Sequence, residues 1–177
     1  MKNEVLTAIA ERRSIRSYKA EPVTDEQIAV LSRAAVEAPS AVNRQPYHFT
    51  FVRDAALLGA FSAEAIRLIQ AEDPAAPAMD ILRGAPCVCF IFCDPENGWA
   101  KLDSGIAVEN LALAAHAIGL GSVILGMPKK VFDAGTDHWA ERLDCPAGYT
   151  FAIAIGIGVP AAGKEAHPVR EGLVSTL

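Results

Sequence analysis

Three arginines crowd around one serine in the stretch "ERRSIRSY": Arg12, Arg13 and Arg16 flank Ser14. A guanidinium is always charged and can offer two parallel N–H groups to an oxyanion, and a serine hydroxyl adds a smaller donor. In an extended chain Arg12, Ser14 and Arg16 share one face, because successive residues alternate sides. Three such donors suit a phosphate and whatever is attached to it. The competing reading is a solvated helix end, where cations complement the dipole. The chain carries 16 Lys plus Arg against 21 Asp plus Glu, a net charge of -5. The cluster is therefore local, and a general nucleic-acid surface, which needs an excess of cations, is excluded.

Other routes to chemistry fail on context. "GVPAAGK", Gly158 to Lys164, begins like a phosphate-binding loop, but Glu165 stands where Ser or Thr should hold magnesium and Pro168 breaks the helix that must follow. "GLGSVILG" has Ile124 in place of the third glycine of a dinucleotide fingerprint and leads toward a strand. Cys87, Cys89 and Cys93 share one strand face but spread over about 20 Å, too far for one metal ion. Burial as reduced thiols fits them better. His48, His116, His138 and His167 lack the paired helical spacing of zinc ligands, and no serine sits in a GxSxG elbow. The expected metal content is none.

The elements that must carry the arginines are readable from caps and periodicity. Asn3 caps a helix with Val5, Leu6 and Ile9 on one face, ending near Arg12. Thr24 and Gln27 form a capping box for a second helix, with Val23 stapled on Ile28, and Pro39 ends it. "PSAVNRQPYHF" is an ordered loop leading into a strand at "HFTFV". Asp54 caps a third helix bearing Leu57, Leu58, Phe61, Ile66 and Ile69, with Gly59 weakening its middle. "AEDPAAPAM" reads as a mobile connection. "APCVCFIFC" is a central strand covered on both faces. Asp103 opens a helix, "DSGIAVENLALAAHAIG", that is apolar nearly all round and ends at Gly119. "SVIL" is a strand, "PKKVF" and "TDHWAERL" are short helices, and "YTFAIAIGIG" is a closing strand.

These elements predict one domain over residues 1–177, a size that can bury a sizeable core. No stretch approaches the roughly 20 apolar residues of a membrane span, and "MKNEVLTAIAERR" places charges where a signal peptide is apolar. The expected location is the cytoplasm, with no membrane partner. The helix from Asp103 to Ile118 needs a second cover, which self-association would supply.

Taken in order, "RRSIRSY", "PVTDEQI", "APSAVNRQPYHF", "DSGIAVENLALAAHAIGLGSVILG" and "AIGIGVP" resemble the nitroreductase family of FMN-dependent, NAD(P)H-using oxidoreductases. The resemblance implies an α+β fold of three layers, a mixed, mainly antiparallel central sheet flanked by helices, in an intertwined homodimer with two FMN sites at the subunit interface. By matching positions, Arg12, Arg13 and Ser14 would face the phosphate and ribityl chain, and Arg16 the pyrimidine edge of the flavin. Pro39, Ser40 and Asn43 would reach a flavin held mainly by the partner, and Leu125 and Gly126 would lie near flavin N5. His167 stands where the family commonly has a phosphate-binding arginine before a proline, and Lys164 is a candidate compensation. The implied reaction takes a hydride from NADH or NADPH to nitroaromatic, quinone or similar planar acceptors, with no catalytic side chain beyond the flavin. "CDPENGWAKLD" leaves little room for a covering helical insertion, so an open pocket is expected. The alternative is a flavin-binding module, a carrier, sensor or flavin-supply protein, without nicotinamide turnover.

Overall fold

A computed structural model describes residues 3–176. Its helices are α1 (Glu4–Glu11), α2 (Asp25–Val36), α3 (Ala55–Glu72), α4 (Ala100–Ala117), α5 (Lys129–Ala134) and α6 (Trp139–Arg142), and its strands β1 (Tyr47–Val52), β2 (Cys87–Cys93), β3 (Gly121–Leu125) and β4 (Thr150–Gly158). The strands form one sheet in the order β1-β2-β4-β3, each neighbouring pair antiparallel. A parallel bridge between Ser14 and Ser122 makes the sheet mixed at its β3 edge.

Strand β2 lies between β1 and β4 and all seven of its residues are buried, as its uninterrupted apolar run predicts. Its alternate side chains feed two cores. Val88, Phe90 and Phe92 pack with Phe61 and Ala65 of α3, Val131 of α5 and Trp139 of α6. Cys87, Cys89 and Ile91 pack on the other side with Leu31 and Ala35 of α2 and Val108, Leu111 and Ala112 of α4. The result is three layers, α3/α5/α6, sheet, and α2/α4. Burial pushes the Cys87 thiol up to about 12 and raises Cys89 further, so neither is a nucleophile near neutral pH.

Local signals place most helix ends. Asn3 Oδ1 accepts the Val5 N–H at 3.0 Å, the Thr24–Gln27 capping box forms, and Asp54 Oδ1 accepts the N–H groups of Ala56 and Leu57. At the end of α4, Gly119 adopts a left-handed φ of 79° while its N–H bonds His116 O and that of Leu120 bonds Ala115 O, a Schellman closure.

One expectation needs correction. Helix α4 opens at Ala100, three residues ahead of Asp103, because Asn97 forms the entry turn. Its side chain accepts the Trp99 N–H and its carbonyl that of Ala100, both at 3.0 Å. Asp103 is thereby released from capping and lies buried in the helix. The stretch after α3 is a hydrogen-bonded turn, with Asp73 accepting from Ala75 and Ala76 and Gln70 Nε2 donating to Ala76 O. Gly59 does not interrupt α3, which runs 18 residues.

Glu64 of α3 ties this layer together, accepting hydrogen bonds from Arg67 and from Thr136 in the α5–α6 connection. Those bonds, Arg67 first, draw its carboxyl down to about 2. A folded pKa below the unfolded value contributes stability that is complete above the ordinary carboxylate range and is lost as pH falls toward 2. Denaturant titrations of Glu64→Gln should show a flatter dependence of stability on pH between about 4.5 and 2 than the parent chain shows.

Candidate functional site

The segment after α1 is an arm laid along the edge of the sheet. Ile15 N–H donates to Ser122 O at 2.8 Å, Lys19 N–H to Val159 O at 2.9 Å and Ala161 N–H to Ser17 O at 3.0 Å. The Tyr18 hydroxyl donates to Ile15 O at 2.7 Å and lies 3.2 Å from Gly156 O. Ile15 is the buried anchor, and Gly121 makes room for it, since a Cβ there would stand 2.8 Å from Ile15 Cγ1. Residues 14–19 are thus held by β3 on one side and by the end of β4 on the other.

This clamp gathers the cations. A cavity of about 250 Å³ is lined by Arg12, Arg13, His116, Ser122 and Lys164, among others. Arg12 reaches toward α4, its Nε 3.0 Å from Glu109 Oε1, yet that buried nitrogen makes no hydrogen bond in this geometry. Arg13 Nη1 donates to Ala10 O at 2.7 Å and Arg12 O at 2.8 Å, closing the end of α1 as the helix-end reading expects. A guanidinium presents five N–H donors, so the rest of each group stays available to an anion.

The expected convergence of Arg12, Ser14 and Arg16 is replaced by a different set. Arg12 is still the C-cap of α1, outside the alternation of the extended arm. Ile15 must face the sheet, so Ser14 and Arg16 fall on the opposite side. Neither lines the cavity, and Arg16 is exposed, with one bond of 3.4 Å to Ser14 O. His167 is also exposed and absent from the wall. Lys164 does line it, and the Ser17–Ala161 bond fixes the chain three residues before it. Ser122 escaped sequence reasoning: it reads as an ordinary strand residue until the arm is seen to dock on it.

Leu125 is buried and Gly126 exposed, at the far end of β3 from Ser122. Gly121 to Gly126 spans roughly 17 Å of strand. Gly126 opens into a second hollow with Met127, Lys129, Lys130 and Leu68. The connection from β2 to α4, residues 94–99, carries no helix.

Pro39, Ser40 and Asn43 lie elsewhere. Their loop joins α2 to edge strand β1, whereas the arginines sit at the opposite edge, β3, three strand spacings or about 14 Å across the sheet. The loop bonds to Asp103 near the start of α4, while the cavity touches His116 near its end, about 20 Å along the helix. One protomer does not bring the two groups together.

A family model described as the nitroreductase family matches residues 9–159, from α1 to the end of β4. The chain belongs to the nitroreductase family. A relative from Archaeoglobus fulgidus, provisionally named an NADH dehydrogenase/NAD(P)H nitroreductase, is 33% identical over 92% of this chain and 88% of its own length. A 5,6-dimethylbenzimidazole synthase from Rhodospirillum rubrum is 32% identical over 90% and 82%. Among solved structures, a nitroreductase with bound FMN from Desulfitobacterium hafniense DCB-2 superposes with a TM-score of 0.93 at 30% identity, covering all of both chains. Nitroreductase relatives therefore carry more than one named reaction, and the residues of this site must decide what this member does.

The Ile15–Gly121 contact gives a direct test of how the arm is held. Gly121→Val should force Ile15 out at a cost of about 1–3 kcal/mol, the usual range for overpacking. Hydrogen exchange read at the Ile15 amide should then lose protection well before amides of β2 do.

Proposed function

We propose that the protein is a homodimeric FMN-dependent oxidoreductase that takes reducing equivalents from NADH or NADPH and passes them to planar acceptors such as nitroaromatics or quinones, in the cytoplasm. The observation that carries this reading is the cavity where Arg12, Arg13 and Lys164 converge beside Ser122, with β3 leading from it to the exposed backbone at Gly126.

The residues fit the group. A phosphomonoester carries nearly two negative charges, and the cavity offers the side chains of Arg12, Arg13 and Lys164, with Glu11 also in its wall and Arg12 Nε turned to Glu109. Hydrogen bonds to charged groups contribute about 1.5–3 kcal/mol each, so this set supplies a large part of cofactor affinity. On this reading Ser14 and Arg16, on the outward side of the arm, would meet the sugar chain and the ring edge. Arg16 has the reach for that role, being exposed and held by one long bond. FMN, when bound, supplies the chemistry, its N5 accepting a hydride from the nicotinamide and giving it to the acceptor. The protein's contribution is position and field: cations anchor the tail and favour negative charge at the ring edge, and the open edge at Gly126 and Met127 leaves room for flat reactants.

The homodimer reading rests on what one protomer leaves uncovered. Helix α1 buries none of its residues and exposes Val5, Leu6 and Ile9 by 63%, 52% and 55%. Leu102 and Ile106 of α4 are exposed, as are Val169, Leu173 and Val174 of the C-terminal segment. Apolar surface on this scale marks an interface.

Purified protein should be yellow and sediment as a dimer, and anaerobic addition of NADH or NADPH should bleach the flavin band. A yellow dimer whose band both nucleotides leave unchanged over minutes would instead be a flavin-binding module. Arg12→Ala combined with Lys164→Ala should raise the FMN Kd by roughly 100-fold or more, taking about 1.5 kcal/mol per charged hydrogen bond. His167→Ala should leave that titration unchanged, and equal losses in the two variants would argue against Lys164 as the third cation.

A further inference from the structure

We propose that Asp103 is a positioning residue of the flavin site, its buried carboxylate holding the loop Pro39–Gln45 in the shape that meets the cofactor, an inference that rests on the FMN reading above. Asp103 is 3% exposed, and the Ala41 N–H donates to both of its oxygens at 3.2 Å each. Among the described residues no lysine, arginine or histidine pairs with it. A buried carboxylate without a cation is costly, and an apolar residue would serve packing better. The first turns of α4 offset part of that cost through the helix dipole.

The loop it holds is strained. Val42, Asn43 and Gln45 all have left-handed backbones, at φ of 47°, 56° and 49°, and for the β-branched Val42 this is a true outlier. Such conformations persist only where surrounding contacts fix them, and they concentrate at ligand clamps. Inside the loop, Ser40 accepts the N–H of Gln45 through its hydroxyl and that of Asn43 through its carbonyl, and Gln45 Nε2 donates to Asn43 Oδ1. These bonds shape the loop but do not attach it. The Ala41–Asp103 pair joins the loop to α4, while the Tyr47 hydroxyl of β1 lies beside Ser40 and donates to Ala38 O at 3.0 Å. Ser40 and Asn43 thus stand on either side of the tether to Asp103.

Both ends of that tether can be cut. Asp103→Leu removes the acceptors while keeping similar bulk. Ala41→Pro removes the donor without touching the core, and the position accepts it: Ala41 opens a 3-10 turn and Ser40 before it is extended at φ -133°, ψ 156°. Fluorescence titration of the apoprotein with FMN should give a Kd raised roughly tenfold by either change, the scale of one charge-assisted hydrogen bond. Asp103→Asn keeps one oxygen acceptor and should stay within about threefold of the parent. The double variant should be no worse than the poorer single, because both remove the same bond. A folded Ala41→Pro protein with parental FMN affinity overturns the proposal, as does an Asp103→Leu protein that loses only thermal stability, and Ala41→Pro decides the matter if Asp103→Leu does not fold. Failure of the parent chain to take up FMN would sink the flavin reading itself, and this proposal with it.

Discussion

The docking of residues 14–19 between β3 and the end of β4 is the constraint on which the rest of the site depends. One buried side chain, Ile15, sits over a strand position with no side chain, Gly121, and backbone bonds on both flanks fix the register. Everything charged follows from that register. Arg12 remains at the end of α1 and turns toward Glu109, Arg13 folds back on its own helix, and the Ser17–Ala161 bond brings the chain around to deliver Lys164. Like charges repel, so the apolar anchor and backbone pairing offset the cost of gathering them at one edge of the sheet. Glu109, 3.0 Å from Arg12 Nε, is a partial counterion.

The buried helix α4 has a second organising role. Along its length it packs against α2 and the sheet through Val108, Leu111 and Ala112, and its two ends serve different parts of the site. Its last turn carries His116 into the wall of the cation cavity, and its opening turns carry Asp103 to the loop before β1. A rigid helix transmits no geometry of its own between them, but it fixes their separation. Site precision then depends on the core beneath rather than on the loops.

Much of this was readable in the residues. Asn3, the Thr24–Gln27 box, Asp54 and Gly119 mark helix ends through local bonds, and local bonds depend on adjacent sequence alone. The apolar run of β2 announced a central strand for the same reason, since burial on both faces leaves no alternation to see. The start of α4 differs from expectation because Asp103 is a good cap by type, while the helix opens on a local turn at Asn97, whose side chain and carbonyl accept the N–H groups of Trp99 and Ala100. The site was legible as a cluster and not as a geometry. Alternation predicted Arg12 with Ser14 and Arg16, but a helix cap interrupts the alternation at Arg12. Lys164 and Ser122 joined the cavity through the Ser17–Ala161 and Ile15–Ser122 bonds, and contacts across more than a hundred residues leave no trace in local pattern.

The distance between the cation cavity and the Pro39–Gln45 loop bears directly on the proposed homodimer. The cations stand beside β3 and the tethered loop beside β1, at opposite edges of the sheet and toward opposite ends of α4. In the proposed homodimer the loop of one copy would meet the cations of the other, and an isologous interface would make that contact twice. The apolar faces of α1 and of the opening turns of α4 are where such an axis would bury surface, and they lie along the same helix that separates the halves. The exposed valines and leucines would then be the reason the arginine cluster becomes a complete site, because association supplies the missing loop as well as stability.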